Sequence, residues 1–168
     1  MARSFDVSTS NNSTVAEVMS VFQSRSYWIA RLQAYGGDSM TLDDLIVADD
    51  GTVEVISTQD MRRGALPAAI AKAVPGNFAL HRNEVWRPTG GGRVRGDINV
   101  KASGVRGTVV GGAEVTPLPG GSAMRFTGTV EVPVPILGSQ IEKFIATAIV
   151  KEIPGVGQFT DEWIAANG

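Results

Sequence analysis

Residues 93–102 have the sequence RVRGDINVKA, in which two kinds of side chain alternate without interruption. Every second residue is small or apolar, and the residues between are charged or asparagine; the first set is Val94, Gly96, Ile98, Val100 and Ala102. This period of two predicts a β-strand with one solvated face and one buried face. A second layer must therefore cover the apolar face of the sheet to which the strand belongs.

The C-terminal segment is the candidate for that layer. Apolar side chains recur there at helical spacing, at Leu137, Ile141, Phe144, Ile145, Ala148 and Ile149. The pattern predicts a long amphipathic helix whose apolar stripe lies against the sheet. Pro154, Gly155 and Gly157 predict a kink or a break in this helix. Phe159 and Trp163, four residues apart, predict a further amphipathic turn beyond the break.

The other predicted elements form an ordered series. An alternating strand at residues 3–8 precedes two short helices, the first with capping-box spacing between Thr14 and Glu17 and the second ended by Gly36-Gly37. Asp50-Gly51 predicts a hairpin, and an alanine-rich segment predicts a short helix at residues 65–74. The remaining strands are predicted as an antiparallel meander near residues 40–47, 52–62, 78–87, 93–103, 107–116 and 123–132.

Composition narrows the functional classes. The 168 residues, 43% hydrophobic and 19% charged, are typical of one globular domain spanning residues 1–168. A net charge of -2 argues against a nucleic-acid partner, and the absence of cysteine excludes disulfides and thiolate chemistry.

The N-terminus is charged, and no apolar run approaches the ~20 residues of a membrane span. We therefore expect a cytoplasmic protein without integral membrane association.

Several short segments accompany this order of elements: Phe5-Asp6-Val7, Leu66-Pro67, and the runs at residues 133–138 (PVPILG), 141–144 (IEKF) and 159–163 (FTDEW). With the element order, they resemble the START-like superfamily (SRPBCC), which includes polyketide cyclases and pollen-allergen-type carriers, and within it an uncharacterised actinobacterial family. The resemblance implies an α+β helix-grip fold, in which a curved antiparallel sheet wraps around a long C-terminal helix. It also implies a cavity between sheet and helix for lipids, polyketides or other apolar ligands.

The predicted lining of that cavity consists of apolar side chains on the inner faces of the strands and on the terminal helix: Val94, Ile98, Val100, Val109, Phe126, Val130, Ile141, Phe144 and Ile145. Linings of this kind suit pockets for apolar ligands, and the alternative is that these side chains fill a dry core. We predict binding or transport of a hydrophobic small molecule, with no catalytic residue, no metal and no cofactor. Residues 64–76 and 153–157 are predicted to flank the cavity mouth.

An enzyme is the first alternative. A polyketide cyclase or dehydratase needs a placed acid or base, and the candidates are His81, Glu84 and Asp97. His81 is the single histidine, and we favour a structural or surface role for it.

A homodimeric interaction module without ligand is the second alternative, with Phe159, Trp163 and residues 65–74 forming an exposed apolar patch. Five arginines also crowd one stretch, either on a solvated sheet face or facing an anionic ligand head group: Arg82, Arg87, Arg93, Arg95 and Arg106.

Overall fold

The computed structural model describes residues 2–61, 66–72, 76–104 and 106–167, and it shows a seven-stranded antiparallel sheet curved around one long helix. The strands are β1 (Arg3–Asn11), β2 (Met40–Val47), β3 (Val53–Met61), β4 (Phe78–Gly90), β5 (Arg93–Ser103), β6 (Thr108–Leu118) and β7 (Gly121–Glu131). The α-helices are α1 (Val15–Phe22), α2 (Arg25–Gly36), α3 (Ala68–Ala71) and α4 (Gly138–Asn167), and a 3-10 turn, Gly37–Ser39, precedes β2. The predicted α+β architecture is confirmed.

The sheet order is β1-β7-β6-β5-β4-β3-β2, so β2 to β7 form a continuous meander and β1 closes its far edge. The predicted hairpin at Asp50-Gly51 joins β2 to β3, and Gly51 takes a φ of 88°, which glycine adopts without strain. Across the middle of the sheet, Val100 pairs with Val109 and Val109 pairs with Val130. These three side chains therefore point to the same concave face.

The two short helices close one end of that face. Thr14 and Glu17 form the predicted capping box at the start of α1. The helices contribute Phe22 and Trp28 to a buried cluster, in which the Trp28 indole N–H donates to the carbonyl of Phe22 at 2.7 Å. Trp86 of β4 joins the cluster, with its ring centroid 4.9 Å from that of Phe22. Aromatic side chains therefore fill the concave face at this end of the sheet.

The long helix α4 is attached near both of its ends. Near its start, the buried carboxylate of Glu142 accepts a hydrogen bond from the backbone N–H of Val132 at 2.8 Å. Near its end, Asp161 accepts from the backbone N–H groups of Asn12 at 2.9 Å and Ser13 at 3.1 Å, and from the Ser13 hydroxyl at 2.6 Å. Between these attachments the helix crosses the concave face of the sheet.

The predicted break at residues 154–157 is wrong, because α4 runs without interruption from Gly138 to Asn167. Pro154 removes the N–H that would bond to the carbonyl of Val150, but both residues are exposed and water can replace the lost bond. Gly157 is a packing residue: a Cβ placed there would lie 2.7 Å from Oδ1 of the buried Asn11. Close approach of α4 to β1 therefore outweighs the low helix propensity of this segment.

Of the helix predicted at residues 65–74, only the four residues of α3 (Ala68–Ala71) are helical in the described chain, with Ile70 as the buried residue. Residues 66–67 and 72 lie outside the helix, and residues 65 and 73–74 lie outside the described part of the chain. The described ranges contain no helix with the length and apolarity needed to cross a bilayer.

The glycines of α4 give a matched stability test. We expect Gly157→Ala to lower the free energy of unfolding by about 1–3 kcal/mol, because the new methyl group overlaps the enclosed Asn11 side chain. Gly155→Ala is the control: its Cβ would meet only the hydroxyl end of Tyr35, which is free to move, so helix propensity should raise stability by up to about 1 kcal/mol. Urea unfolding followed by circular dichroism measures both. Equal effects of the two substitutions would contradict the close packing of α4 on β1.

Candidate ligand-binding site

A first cavity of about 140 Å³ lies between the first turns of α4 and the concave face of the sheet. The helix contributes Ile141, Phe144 and Ile145, and α3 contributes Ile70. The strands add further apolar side chains, among them Met61, Phe78, Leu80, Val100, Val109 and Val130. Phe144 is 43% exposed, so its ring lies at the edge of the cavity. Apolar cavities of this size accept small apolar molecules.

A second cavity of about 170 Å³ adjoins the first and shares part of its lining, namely Leu80, Val100, Val109 and Ile145. It continues beneath the middle of α4 to Ile149, Ile153 and Val156. Phe5 and Phe126 close it on the side of β1 and β7. The two spaces therefore form a row along the helix, which ends near the aromatic cluster of α1, α2 and β4.

Eight of the nine side chains predicted from the sequence lie along this row. The first cavity is lined by Val100, Val109, Val130, Ile141, Phe144 and Ile145, and the second by Ile98 and Phe126 together with three of those six. Val94 lies elsewhere: it is 4% exposed and packs in the core with Val115 and Trp86. Its position near the start of β5 places it at the packed end of the sheet, where the aromatic cluster leaves no space.

Four charged residues line the second cavity: Arg31 of α2, Arg82 and Glu84 of β4, and Glu152 of α4. Glu84 was predicted as an acid/base candidate and Arg82 as one of the five crowded arginines, and the alternation of β4 places both on the same face as Leu80 and Trp86. Arg31 and Glu152 were not singled out from the sequence.

The five arginines are not gathered at one site. Arg82 is half-buried and lines the second cavity, and Arg106 borders the first cavity from an exposed position. The other three arginines, Arg87, Arg93 and Arg95, are exposed and line neither cavity.

Arg31 has an enclosed position with few direct partners. Its guanidinium carbon lies 4.7 Å from the ring centroid of Trp28, a cation-π contact, and one of its N–H groups donates to the Tyr27 hydroxyl at 3.4 Å. Burial acts to lower the pKa of Arg31, but Tyr27 and Glu84 outweigh it and the pKa lies above its ordinary value. Burial also raises the pKa of Tyr35, against the opposing effect of Arg31. The guanidinium is therefore a charged group at the deep end of the second cavity.

The three acid/base candidates are not brought together. Glu84 is 3% exposed and faces the second cavity, whereas His81 is exposed on the opposite side of the same strand, 3.4 Å from the Thr58 hydroxyl. Asp97 also lies on the outer face, where it accepts from Arg87 at 2.7 Å. Because the sheet separates Glu84 from the other two, these residues cannot act as one acid/base pair.

The aromatic residues proposed as a dimer patch face inwards instead. Phe159 and Trp163 are half-buried, and the ring centroid of each lies 6.0 Å from that of Tyr27. They extend the aromatic core from α2 onto the last turns of α4. In the described ranges, no three histidine or acidic side chains are grouped as metal ligands would be.

Sequence comparison finds a family and several relatives that match nearly the whole chain. A family model described as "Protein of unknown function (DUF2505)" matches residues 6–164. Uncharacterised proteins from Mycobacterium tuberculosis and Mycobacterium bovis are each 32% identical over 180 residues, a match that covers 99% of this chain and 99% of theirs.

Solved structures with a similar fold share little sequence. The protein TTHA0849 from Thermus thermophilus superposes with a TM-score of 0.62 at 12% identity, covering 99% of this chain and 100% of that one. Ara h 8.0201 gives 0.56 at 8% identity, with 99% and 100% covered. Norcoclaurine synthase from Thalictrum flavum, in complex with dopamine and hydroxybenzaldehyde, gives 0.52 at 11% identity, with 100% and 89% covered. At these identities the likeness shows the helix-grip fold alone.

The positions of Val94 and Val109 lead to a stability prediction. Val94→Ala should lower the free energy of unfolding by about 2 kcal/mol or more, because it removes two methyl groups from a packed core. Val109→Ala should cost about 1 kcal/mol or less, since the Val109 side chain already borders empty space and loses fewer contacts. Urea denaturation of both variants provides the measurement. A larger loss for Val109→Ala would mean that the cavities are filled in solution.

Proposed function

The chain belongs to the DUF2505 family and has the helix-grip fold of the START-like superfamily, and from this premise we propose that it binds a hydrophobic small molecule, lipid-like or polyketide-like, between the sheet and α4. The observation that carries the proposal is the row of two adjoining cavities. Their shared lining is apolar, and four of the lining residues belong to both spaces. Binding pockets for small molecules have this character, with apolar walls and few polar groups.

The volumes limit the ligand. Each cavity is smaller than the roughly 300–1,000 Å³ of pockets that hold drug-sized molecules, and the two together reach the lower end of that range. A ligand of one to three rings, or a short acyl chain, therefore fits the two cavities together without rearrangement. A larger lipid requires displacement of the residues at the edge, among them Phe144.

The structural neighbours support a small ligand of this kind. Norcoclaurine synthase, which has the same fold, was solved with dopamine and hydroxybenzaldehyde, two small aromatic molecules. For an enzymatic reaction in this chain, the structure offers Glu84 within the cavity but separates it from His81 and Asp97. Binding without chemistry is therefore the function that the arrangement favours.

Entry is proposed at the first cavity. Leu66 and Ile70 border it on one side and Phe144 on the other, while the opposite end of the row is closed by the aromatic cluster. The predicted mouth at residues 64–76 falls partly outside the described residues, at 64–65 and 73–75. The segment at 153–157, the other predicted edge, instead forms part of the intact α4 over the second cavity.

The proposal predicts binding of a neutral apolar fluorophore, N-phenyl-1-naphthylamine, with a rise in its fluorescence. Val109→Phe should weaken this binding by about tenfold or more, because the added ring enters the space that both cavities share. Val110→Phe is the matched control: Val110 is the next residue, is 56% exposed and points to the outer face, so its substitution should leave binding unchanged.

Fluorescence titration of the wild type and both variants measures the dissociation constants, and circular dichroism verifies that the variants fold. If the probe binds all three proteins equally, its site is not this cavity. If the wild type binds neither this probe nor a panel of short-chain lipids and polyketide-like aromatics, the proposed function is wrong.

A further inference from the structure

The deep end of the second cavity contains two opposite charges that do not neutralise each other directly. Arg31 approaches it from α2 and Glu84 from β4. Over the ranges that the structure describes, neither forms an ion pair, since the ion pairs there join Arg87 and Arg95 to Asp97, and Arg125 to Asp6. The two groups are nonetheless close enough for Glu84 to raise the pKa of Arg31.

The hydrogen-bonding capacity of both groups is largely unused. A guanidinium has five N–H donors, and in the described structure the Arg31 side chain uses one of them, in the 3.4 Å contact with Tyr27. The Glu84 carboxylate belongs to a residue only 3% exposed, accepts no hydrogen bond from any described residue, and has its oxygens at the cavity wall and not sealed in the core. Glu84 is buried and Arg31 half-buried, and both line the same cavity. Charges removed from bulk water are normally paired or hydrogen-bonded, so a ligand group that reaches both would satisfy them.

The charges that line the second cavity indicate which kind of ligand group would bind between Arg31 and Glu84. The lining contains two arginines, Arg31 and Arg82, and two glutamates, Glu84 and Glu152. These charges cancel, so the cavity offers an anionic or cationic ligand no net attraction. A carboxylate ligand would gain from Arg31 but would lie against the like charge of Glu84, and this repulsion is stronger inside a protein than in bulk water. A neutral group that both accepts and donates hydrogen bonds avoids this conflict.

We propose that the cavity recognises apolar molecules that carry a hydroxyl group, an alcohol or a phenol, with the hydroxyl oxygen accepting from Arg31 and its proton donated to Glu84. Both hydrogen bonds are charge-assisted, and each is stronger than a bond between neutral groups. The apolar body of the ligand then lies against Ile98, Val109 and Ile145 towards the first cavity. This inference rests on the proposed function and names the ligand class of the same site.

The test compares three ligands of nearly equal size: naphthalene, 2-naphthol and 2-naphthoate. Displacement of N-phenyl-1-naphthylamine gives the dissociation constant of each. We expect 2-naphthol to bind about tenfold or more tightly than naphthalene, because a site with unpaired polar groups discriminates against an analogue that lacks the hydroxyl. We expect 2-naphthoate to bind more weakly than 2-naphthol, because of Glu84.

Two variants assign the preference to the proposed residues. In Glu84→Gln, which keeps the shape of the side chain, 2-naphthoate should gain about tenfold in affinity as the repulsion disappears, while 2-naphthol should lose affinity. Arg31→Met should reduce the ratio of the affinities for 2-naphthol and naphthalene. If the Arg31→Met variant does not fold, Arg31→Lys is tested in its place, with the same expected result. Glu114→Gln on the exposed face of β6 is the control for a change of charge, and it should leave all three affinities unchanged.

The outcomes separate the inference from the proposed function. Equal binding of naphthalene and 2-naphthol would overturn the hydroxyl preference and leave the apolar pocket intact. Tightest binding by 2-naphthoate would overturn it in favour of an anion site. Absence of binding by the fluorophore and by all three ligands would overturn both proposals together.

Discussion

The arrangement of the molecule depends on how α4 is held over the sheet. Glu142 bonds to the backbone just after β7, and Asp161 bonds to the backbone just after β1. Because these strands are antiparallel, with Arg3 opposite Val130, the two attachments lie at opposite ends of the strands. Hydrogen bonds to charged groups are worth about 1.5–3 kcal/mol each. The helix is thereby fixed as a bridge across the concave face, and the cavities lie beneath its span.

Side chains fill the space between α4 and the sheet more completely at one end of the helix than at the other. At the Asp161 end of the helix, which lies at the C-terminal end of β1, rings from α1, α2 and β4 fill the concave face. The small residue Gly96 makes room for them, since a Cβ there would lie 2.6 Å from the Trp86 ring. Towards the Glu142 end, most of the facing side chains are valine, leucine and isoleucine, and Phe78 and Phe144 border the first cavity without filling it. Interlocking rings at one end and mainly aliphatic side chains at the other leave the free volume in the middle and at the first turns of α4.

The sequence predicted secondary structure correctly where the signal is local, as in alternating strands, helix caps and tight turns. Alternation in β5, the capping box at Thr14 and the turn at Asp50-Gly51 are local signals, and each appears where it was predicted. The unbroken α4 was not predictable, because the contact of Gly157 with Asn11 joins residues far apart in the chain. The wall of the cavity was largely predictable from periodicity, but its extent was not, since whether inward side chains meet depends on distances across the sheet.

The polar end of the cavity was not predicted as a group, because its members come from three elements, and Arg31 and Glu152 share no spacing in the sequence with Arg82 and Glu84. Arg82 and Glu84 nevertheless occupy inward positions of β4 between Leu80 and Trp86, opposite Val100 and other apolar residues of the neighbouring strands. Charged side chains at such positions generally leave a protein less stable than apolar side chains of similar volume would. A molecule that bound in the second cavity and satisfied these groups would stabilise the folded chain by mass action. Under the proposed function, ligand recognition and local stability would therefore be coupled at the same residues.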